Sequence, residues 1–235
     1  MTRIDAKQKQ HLAQDSQLDD YRQRGAAHLG PWSSNIWRSD PKHLGFLLAR
    51  YKFCAKMLAG CVRVLEVGCG DAIGIPVMLQ TVGFVHGVDL EPFVIHDAQD
   101  RLWHEGIKKC RFSVLDITKN RVTGRKFDAA YSLDVIEHIP RVLERHFVRN
   151  ICKSLAPQGI LILGTPNKEA RKYASPRSRI AHVNLKNSEG LRKLLTRCFH
   201  NVFVFSMNDE IVHTGFYPMA HYLMAVGVGV KKNGR

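Results

Sequence analysis

The chain has 235 residues, 45% of them hydrophobic, and a formal net charge of +14; this allows one α/β domain with a full core and favours anionic partners, although charge alone describes a soluble basic surface equally well. No apolar run reaches the ~18 residues that span a bilayer, and the N-terminus carries no secretory core, so a cytoplasmic protein is expected. The six cysteines form no C-x-x-C pair and the twelve histidines no H-x-x-x-H pair, which argues for reduced thiols and predicts no metal site.

Met1 to Gln23 is polar and reads as a mobile arm or a loosely docked helix. Gly30 to Ser34 reads as a turn holding Trp32, with Trp37 just beyond it; the pair serves either as a lid or as packing anchors. Asp40 and Pro41 then open a helix as N-cap and first helical residue. Its apolar side chains, from Leu44 through Tyr51 to Leu58, keep a 3.6-residue period up to Gly60.

Val62 to Val67 is the first strand. It ends in the tight turn Gly68-Cys69-Gly70, and Ile73 to Val82 reads as a helix. Strand, glycine turn and helix start are where an α/β sheet brings its backbone against a nucleotide-like ligand. The third glycine, Gly74, falls one residue late for a dinucleotide fingerprint. Glu66, just before the turn, suits a ligand bearing an ammonium group better than a pyrophosphate.

Strands and helices then alternate. Phe84 to Val88 is a strand ending at Asp89, about 20 residues after the turn, where a ribose-binding carboxylate is expected. Pro92 to Glu105 is a helix, Arg111 to Leu115 a strand ending at Asp116, and Phe127 to Ser132 a strand ending near Asp134. A helix over Pro140 to Leu155 and a buried strand over Ile160 to Leu163 follow. Lys168 to Arg179 reads as a long basic loop, either solvated or meeting a phosphorylated ligand, and Asn187 to Phe199 as a helix. Val202 to Ser206 and His221 to Val230 should pair antiparallel at the sheet edge, joined by Met207 to Ala220. The expected fold is α/β, a doubly wound, mostly parallel seven-stranded sheet with an antiparallel C-terminal edge. Residues 1–39 form an arm and lid region and residues 40–235 a single domain.

Four stretches carry a family resemblance: Val64 to Gly70, Gly87 to Asp89, Phe127 to Ile139 and Leu155 to Asn167. In this order and spacing they resemble the class I S-adenosylmethionine-dependent methyltransferases, within the methyltransferase-domain family that includes ubiquinone-type O-methyltransferases. Asp40 to Met57 and the segment from His182 onward also resemble a bacterial subgroup of surface-polysaccharide and modified-sugar pathways. The resemblance implies S-adenosylmethionine as cofactor and S-adenosylhomocysteine as product. It places Glu66, Gly68, Cys69 and Gly70 at the methionine end, and Asp89 on the ribose hydroxyls with Leu90 beside adenine. It puts Asp116 and Ile117 at the adenine amino group and Leu133 and Asp134 on the sulfonium side.

Arg50 is a candidate partner for the methionine carboxylate or a solvated helix residue. For a hydroxyl acceptor, the candidate bases are His138 first, then His182 and Glu137, with His213 in the link between the last strands; each could equally be structural. The acceptor expected is a small polar or anionic metabolite. Nucleic acid is the competing acceptor on charge, but the fourth strand ends in Ser132-Leu133-Asp134-Val135 rather than N-P-P-Y, and no RNA-binding module is appended.

Overall fold

The computed structural model describes residues 15, 16 and 18–232, apart from the side chain of Arg177. The first part of the polar arm and the end of the basic tail, residues 233–235, lie outside the described residues; residues 18–24 are helical.

The elements in order are α1 (Pro31–Ser39), α2 (Lys42–Met57), β1 (Val64–Val67), α3 (Ile75–Met78), β2 (Val85–Asp89), α4 (Pro92–His104), β3 (Cys110–Val114) and β4 (Phe127–Leu133). Then come a 3-10 turn (Ile136–His138), α5 (Glu144–Ser154), β5 (Leu155–Pro166), a second 3-10 turn (Lys168–Tyr173), α6 (Pro176–Ala181) and α7 (Ser188–Thr196). The chain closes with β6 (Phe199–Asn208), β7 (Ile211–His213), a 3-10 turn (Tyr217–Met219) and β8 (Tyr222–Val230). The sheet order is β3-β2-β1-β4-β5-β8-β6-β7. Strands β1 to β5 pair in parallel and β8, β6 and β7 antiparallel.

β1 is buried along its whole length, as a central parallel strand covered on both faces must be. Tyr51 and Cys54 of α2, with Leu58 just after it, pack with Ile95 and Leu102 of α4 on one face. Phe147 and Ile151 of α5 pack with Leu191 and Leu195 of α7 on the other. Strand order reverses between β1 and β4, so their carboxyl ends diverge and leave a crevice.

Several expectations are corrected. The sheet has eight strands rather than seven. The extra one, β7, comes from the Met207–Ala220 link, where Asp209 adopts φ +50° in the two-residue turn between β6 and β7. β8 lies between β5 and β6, so β7 alone forms that edge. The expected turn at Gly30 to Ser34 is instead the start of helix α1, with Pro31 in its first turn. Asp40 closes α1 through its backbone N–H to the Ile36 carbonyl (2.8 Å) and is not an N-cap; Pro41 precedes α2 without a side-chain cap. The basic stretch Lys168 to Arg179 is ordered into short helical pieces, because Asn167 caps Glu169 N–H and Ser175 caps Ser178 N–H. Among the described residues no helix is long and apolar enough to cross a membrane.

Candidate functional site

Two cavities open at the carboxyl ends of the parallel strands. The first, about 260 Å³, is walled by Val67, Gly68, Val88, Asp89, Leu90, Leu115, Asp116 and Ile117, with Trp32 across from them. The second, about 470 Å³, is lined by Arg50, Glu137, Asn167, Arg171, Tyr173, His182 and His221, among others. Asp134 and His138 line both.

The glycine turn is built from backbone that side chains disfavour. Gly68 has φ +76° and Gly70 φ +51°. A Cβ on Gly68 would lie 2.2 Å from the Val135 side chain, and one on Gly70 2.7 Å from the Trp32 ring. The N–H groups of Gly68 and Cys69 donate to the Val88 carbonyl (2.8 and 3.1 Å), and Gly70 N–H donates to Asp89 Oδ2 (2.9 Å). The turn therefore lets Val135 and the Trp32 ring pack directly on its backbone, while these three donors are used internally. Asp89 Oδ1 accepts from Glu91 N–H (3.1 Å), which holds the carboxylate at the cavity wall.

Asp116 Oδ1 accepts from the Thr118 hydroxyl (2.6 Å) and Thr118 N–H (2.9 Å), and Oδ2 pairs with Lys119 at 3.2 Å. The Thr118 hydroxyl is the main reason its carboxyl sits below the usual range. Leu90 is exposed at the cavity mouth and Ile117 is buried in the wall.

Other predicted contacts fall elsewhere. Glu66 is buried next to Tyr51 and Tyr131 and is not on the wall of either cavity. Its Oε2 and the Tyr131 hydroxyl lack hydrogen-bond partners, and burial pushes the Glu66 carboxyl up to about 8 against the pull of the two tyrosines. Cys69 points into the core, where burial pushes its thiol up, and Leu133 also packs in the core. Arg50 lines the second cavity, not the first, and its Nη1 binds Asp134 Oδ2 at 2.6 Å. His213 lies on β7 near Asn208 (3.3 Å) and lines neither cavity.

The candidate bases Glu137, His138 and His182 come together. Glu137 is fully buried; its Oε2 accepts from the Thr165 hydroxyl (3.0 Å) and its Oε1 has no partner. Burial first, then the Asp134 charge, push its carboxyl up to about 8. His138 Nδ1 lies 3.1 Å from the Ala181 carbonyl. A carbonyl only accepts, so Nδ1 carries a proton, and in the neutral ring Nε2 keeps a lone pair. The His138 and His182 rings are 5.1 Å apart and steeply inclined at 73°. Burial and the neighbouring His138 lower the His182 pKa.

Two elements of the site escaped the sequence reading. Asp71 holds α1 in place: its Oδ2 accepts from Ser33 N–H (2.7 Å) and its Oδ1 from the Ser33 hydroxyl (3.0 Å), while Arg101 donates to its carbonyl. That clamp lays Trp32 over the glycine turn. Thr165, which orients Glu137, lies beyond the expected strand Ile160 to Leu163 and inside the longer β5. Neither had a local motif to reveal it.

With this geometry in view, residues 20–198 match the family model described as a methyltransferase domain. The chain is 31% identical over 116 residues to a ubiquinone biosynthesis O-methyltransferase of Haemophilus ducreyi, covering 47% of this chain and 48% of that protein. It thus spans about half the length of the curated relative it matches there. The fold is similar to the methyltransferase domain of bacterial CtHen1-C, with a TM-score of 0.65 at 20% identity over 78% of this chain and 99% of that one. It is similar also to the N-methyltransferase NodS of Bradyrhizobium japonicum in complex with S-adenosylhomocysteine, with a TM-score of 0.59 at 18% identity over 86% and 93% of the two chains.

Proposed function

The chain belongs to the class I S-adenosylmethionine-dependent methyltransferase-domain family, and from that premise we propose that it transfers a methyl group to a hydroxyl of a small polar metabolite, one that is sugar-, phosphate- or nucleotide-linked, in the cytoplasm. The observation that carries this reading is the meeting of two cavities at Asp134 and His138. One cavity has the features a nucleoside needs and the other has room for an acceptor.

The residues fit the cofactor. Gly68 gives the first cavity a wall of bare backbone, Asp89 has acceptor capacity left for ribose hydroxyls, and Leu90 and Ile117 offer apolar surface to a base. S-Adenosylmethionine supplies an already activated methyl on a sulfonium sulfur, so the protein is left with alignment and proton handling. Asp134 places negative charge at the junction. His138 presents its Nε2 lone pair to the acceptor hydroxyl, with Glu137 and His182 beside it as the further catalytic candidates. Trp32 and α1 serve as the lid of the first cavity.

The acceptor's charge is read from its surroundings. Arg171 lines the second cavity, and a neighbouring hollow carries Arg141, Lys168 and Arg179 as well. Such a rim attracts a phosphate or nucleotide group. The same basic rim favours nucleic acid as the second reading; steep weakening of RNA binding with salt would support it, and absence of binding at modest salt would remove it. Incubating the protein with methyl-labelled S-adenosylmethionine and fractionated polar metabolites tests the proposal. Label should appear in an anionic small molecule as an alkali-stable ether; label in RNA alone, or in no fraction, would overturn it.

A further inference from the structure

Cys152 and Cys198 lie at the end of the sheet opposite the two cavities. Cys152 is in the last turn of α5, just before β5 begins, and Cys198 stands between α7 and β6. Both thiols are free, they belong to one apolar cluster, and they hydrogen-bond to each other. Cys152 is fully buried, whereas Cys198 is half-buried.

Such a pair holds its protons unequally. A thiolate is tolerated where water and cations reach it, so the charge falls on Cys198 and Cys152 keeps its proton as donor. Arg197 directly precedes Cys198, and Arg149 lies one turn before Cys152 on α5. Lys231 N–H donates to the Cys198 carbonyl (2.7 Å), and its Nζ donates to the Thr196 carbonyl (2.7 Å), which fixes the ammonium over the same turn. The hydrogen bond from Cys152 first, then Lys231, Arg197 and Arg149, draw the Cys198 thiol below its usual range against the effect of burial. Cys61 and Cys110 are also only partly buried, yet burial holds both above that range, with Asp128 adding to it at Cys61. Exposure alone therefore does not set Cys198 apart; the second thiol and the cations do.

We propose that Cys198 is a modification site for hydroperoxides and that Cys152 is the thiol that resolves it into a disulfide. The Cys198 thiolate attacks one peroxide oxygen. A sulfur–oxygen bond forms, the oxygen–oxygen bond breaks, and the other oxygen takes a proton from solvent and leaves as water or an alcohol. The Cys152 sulfur then displaces the hydroxyl from Cys198. The sulfur–sulfur bond forms, the sulfur–oxygen bond breaks, and hydroxide leaves with the Cys152 proton as water. The two thiols give up two electrons and the peroxide takes them. A dithiol reductant reverses the bond, the transient behaviour that suits a reducing compartment. The disulfide ties the far ends of α5 and α7. At the near end of α5, Glu144 accepts from Asn184 (3.1 Å) and pairs with Lys186, and α7 starts from the Asn187 cap. The same two helices thus hold the segment that returns beside the second cavity.

The test is peptide mass spectrometry on the full-length protein, reduced and then freed of reductant. With iodoacetamide at neutral pH, Cys198 should be alkylated about tenfold faster than Cys61 or Cys110. One equivalent of hydrogen peroxide should join the Cys152 and Cys198 peptides with loss of two hydrogens, and dithiothreitol should separate them again. In Cys152→Ser, shown to be folded by a cooperative thermal transition, the link should be absent and dimedone should trap Cys198 as the sulfenic acid. Two results in the unaltered protein would overturn the proposal, whatever the variant does. One is alkylation of Cys198 no faster than that of Cys61 and Cys110. The other is oxidation by peroxide that leaves Cys152 and Cys198 unlinked.

Discussion

Arg50 and Asp134, 84 residues apart in sequence, form an ion pair of 2.6 Å where the two cavities meet. Asp134 adopts φ +57°, a conformation that costs a non-glycine residue about 1–2 kcal/mol. The guanidinium also lies 3.9 Å from the centre of the Tyr222 ring, so β8 and α2 together fix the pair. The strained backbone and the ion pair aim one carboxylate at the junction.

Removing Arg50 therefore affects stability and site geometry together. Arg50→Met should cost about 2 kcal/mol, less than a fully buried pair because Asp134 keeps some solvent. Thermal unfolding should move down by roughly 4–8 °C. Arg50→Met/Asp134→Asn should recover part of that loss, since it leaves no unmatched charge. Equal losses in the single and double variants would show that the pair is not the relevant interaction.

Much of this arrangement was legible in the sequence because strand ends announce themselves. Gly68 and Gly70 mark the turn, and Asp89 and Asp116 stand where β2 and β3 run out. Other features arise from distant contacts. Glu66 precedes the turn as a ligand-binding acid would, but packing against α2 turns its side chain toward Tyr51 and Tyr131. Arg50 reads either as a partner for the cofactor's carboxylate or as a solvated helix residue, and only the folded sheet brings Asp134 to it. His182 joins Glu137 only because Asn184 N–H donates to the Glu137 carbonyl (3.0 Å) and pins the returning segment. The short helices after β5 read as loop because their capping side chains act over one turn, too locally to leave a periodic pattern.

Glu66 gives a pH prediction for the ligand-free protein. Its carboxyl rises from an ordinary 4.5 to about 8 on folding, chiefly by burial. Between those values the folded state holds a proton that the unfolded state has released, so stability falls as pH rises, by up to about 1.4 kcal/mol per pH unit. His86 acts in the opposite sense below pH 6.5, because burial lowers its pKa to about 4. Comparison with Glu66→Gln cancels that contribution. Scanning calorimetry should show the two proteins similar at pH 5 and Glu66→Gln the more stable at pH 8. A difference that does not change with pH would contradict the assignment.

Trp32 should report on the first cavity. Its ring covers Gly70 and it lines the cavity wall, whereas Trp37 and Trp103 do not. Adding S-adenosylhomocysteine should change the tryptophan fluorescence of the native protein, and Trp32→Phe should lose most of that change. Trp32→Ala should weaken binding about tenfold, the effect of removing a large apolar contact. An unchanged response in Trp32→Phe would place the ligand elsewhere.

The most direct measurement is calorimetric titration of S-adenosylhomocysteine into the native protein and Asp89→Ala. Asp89 holds the glycine turn through Gly70 N–H and is placed to meet the ribose, and a hydrogen bond to a charged acceptor contributes about 1.5–3 kcal/mol. The expected outcome is one micromolar site in the native protein, weakened about 10- to 100-fold in Asp89→Ala. No detectable binding to folded native protein, or equal affinity in the two, would contradict the account.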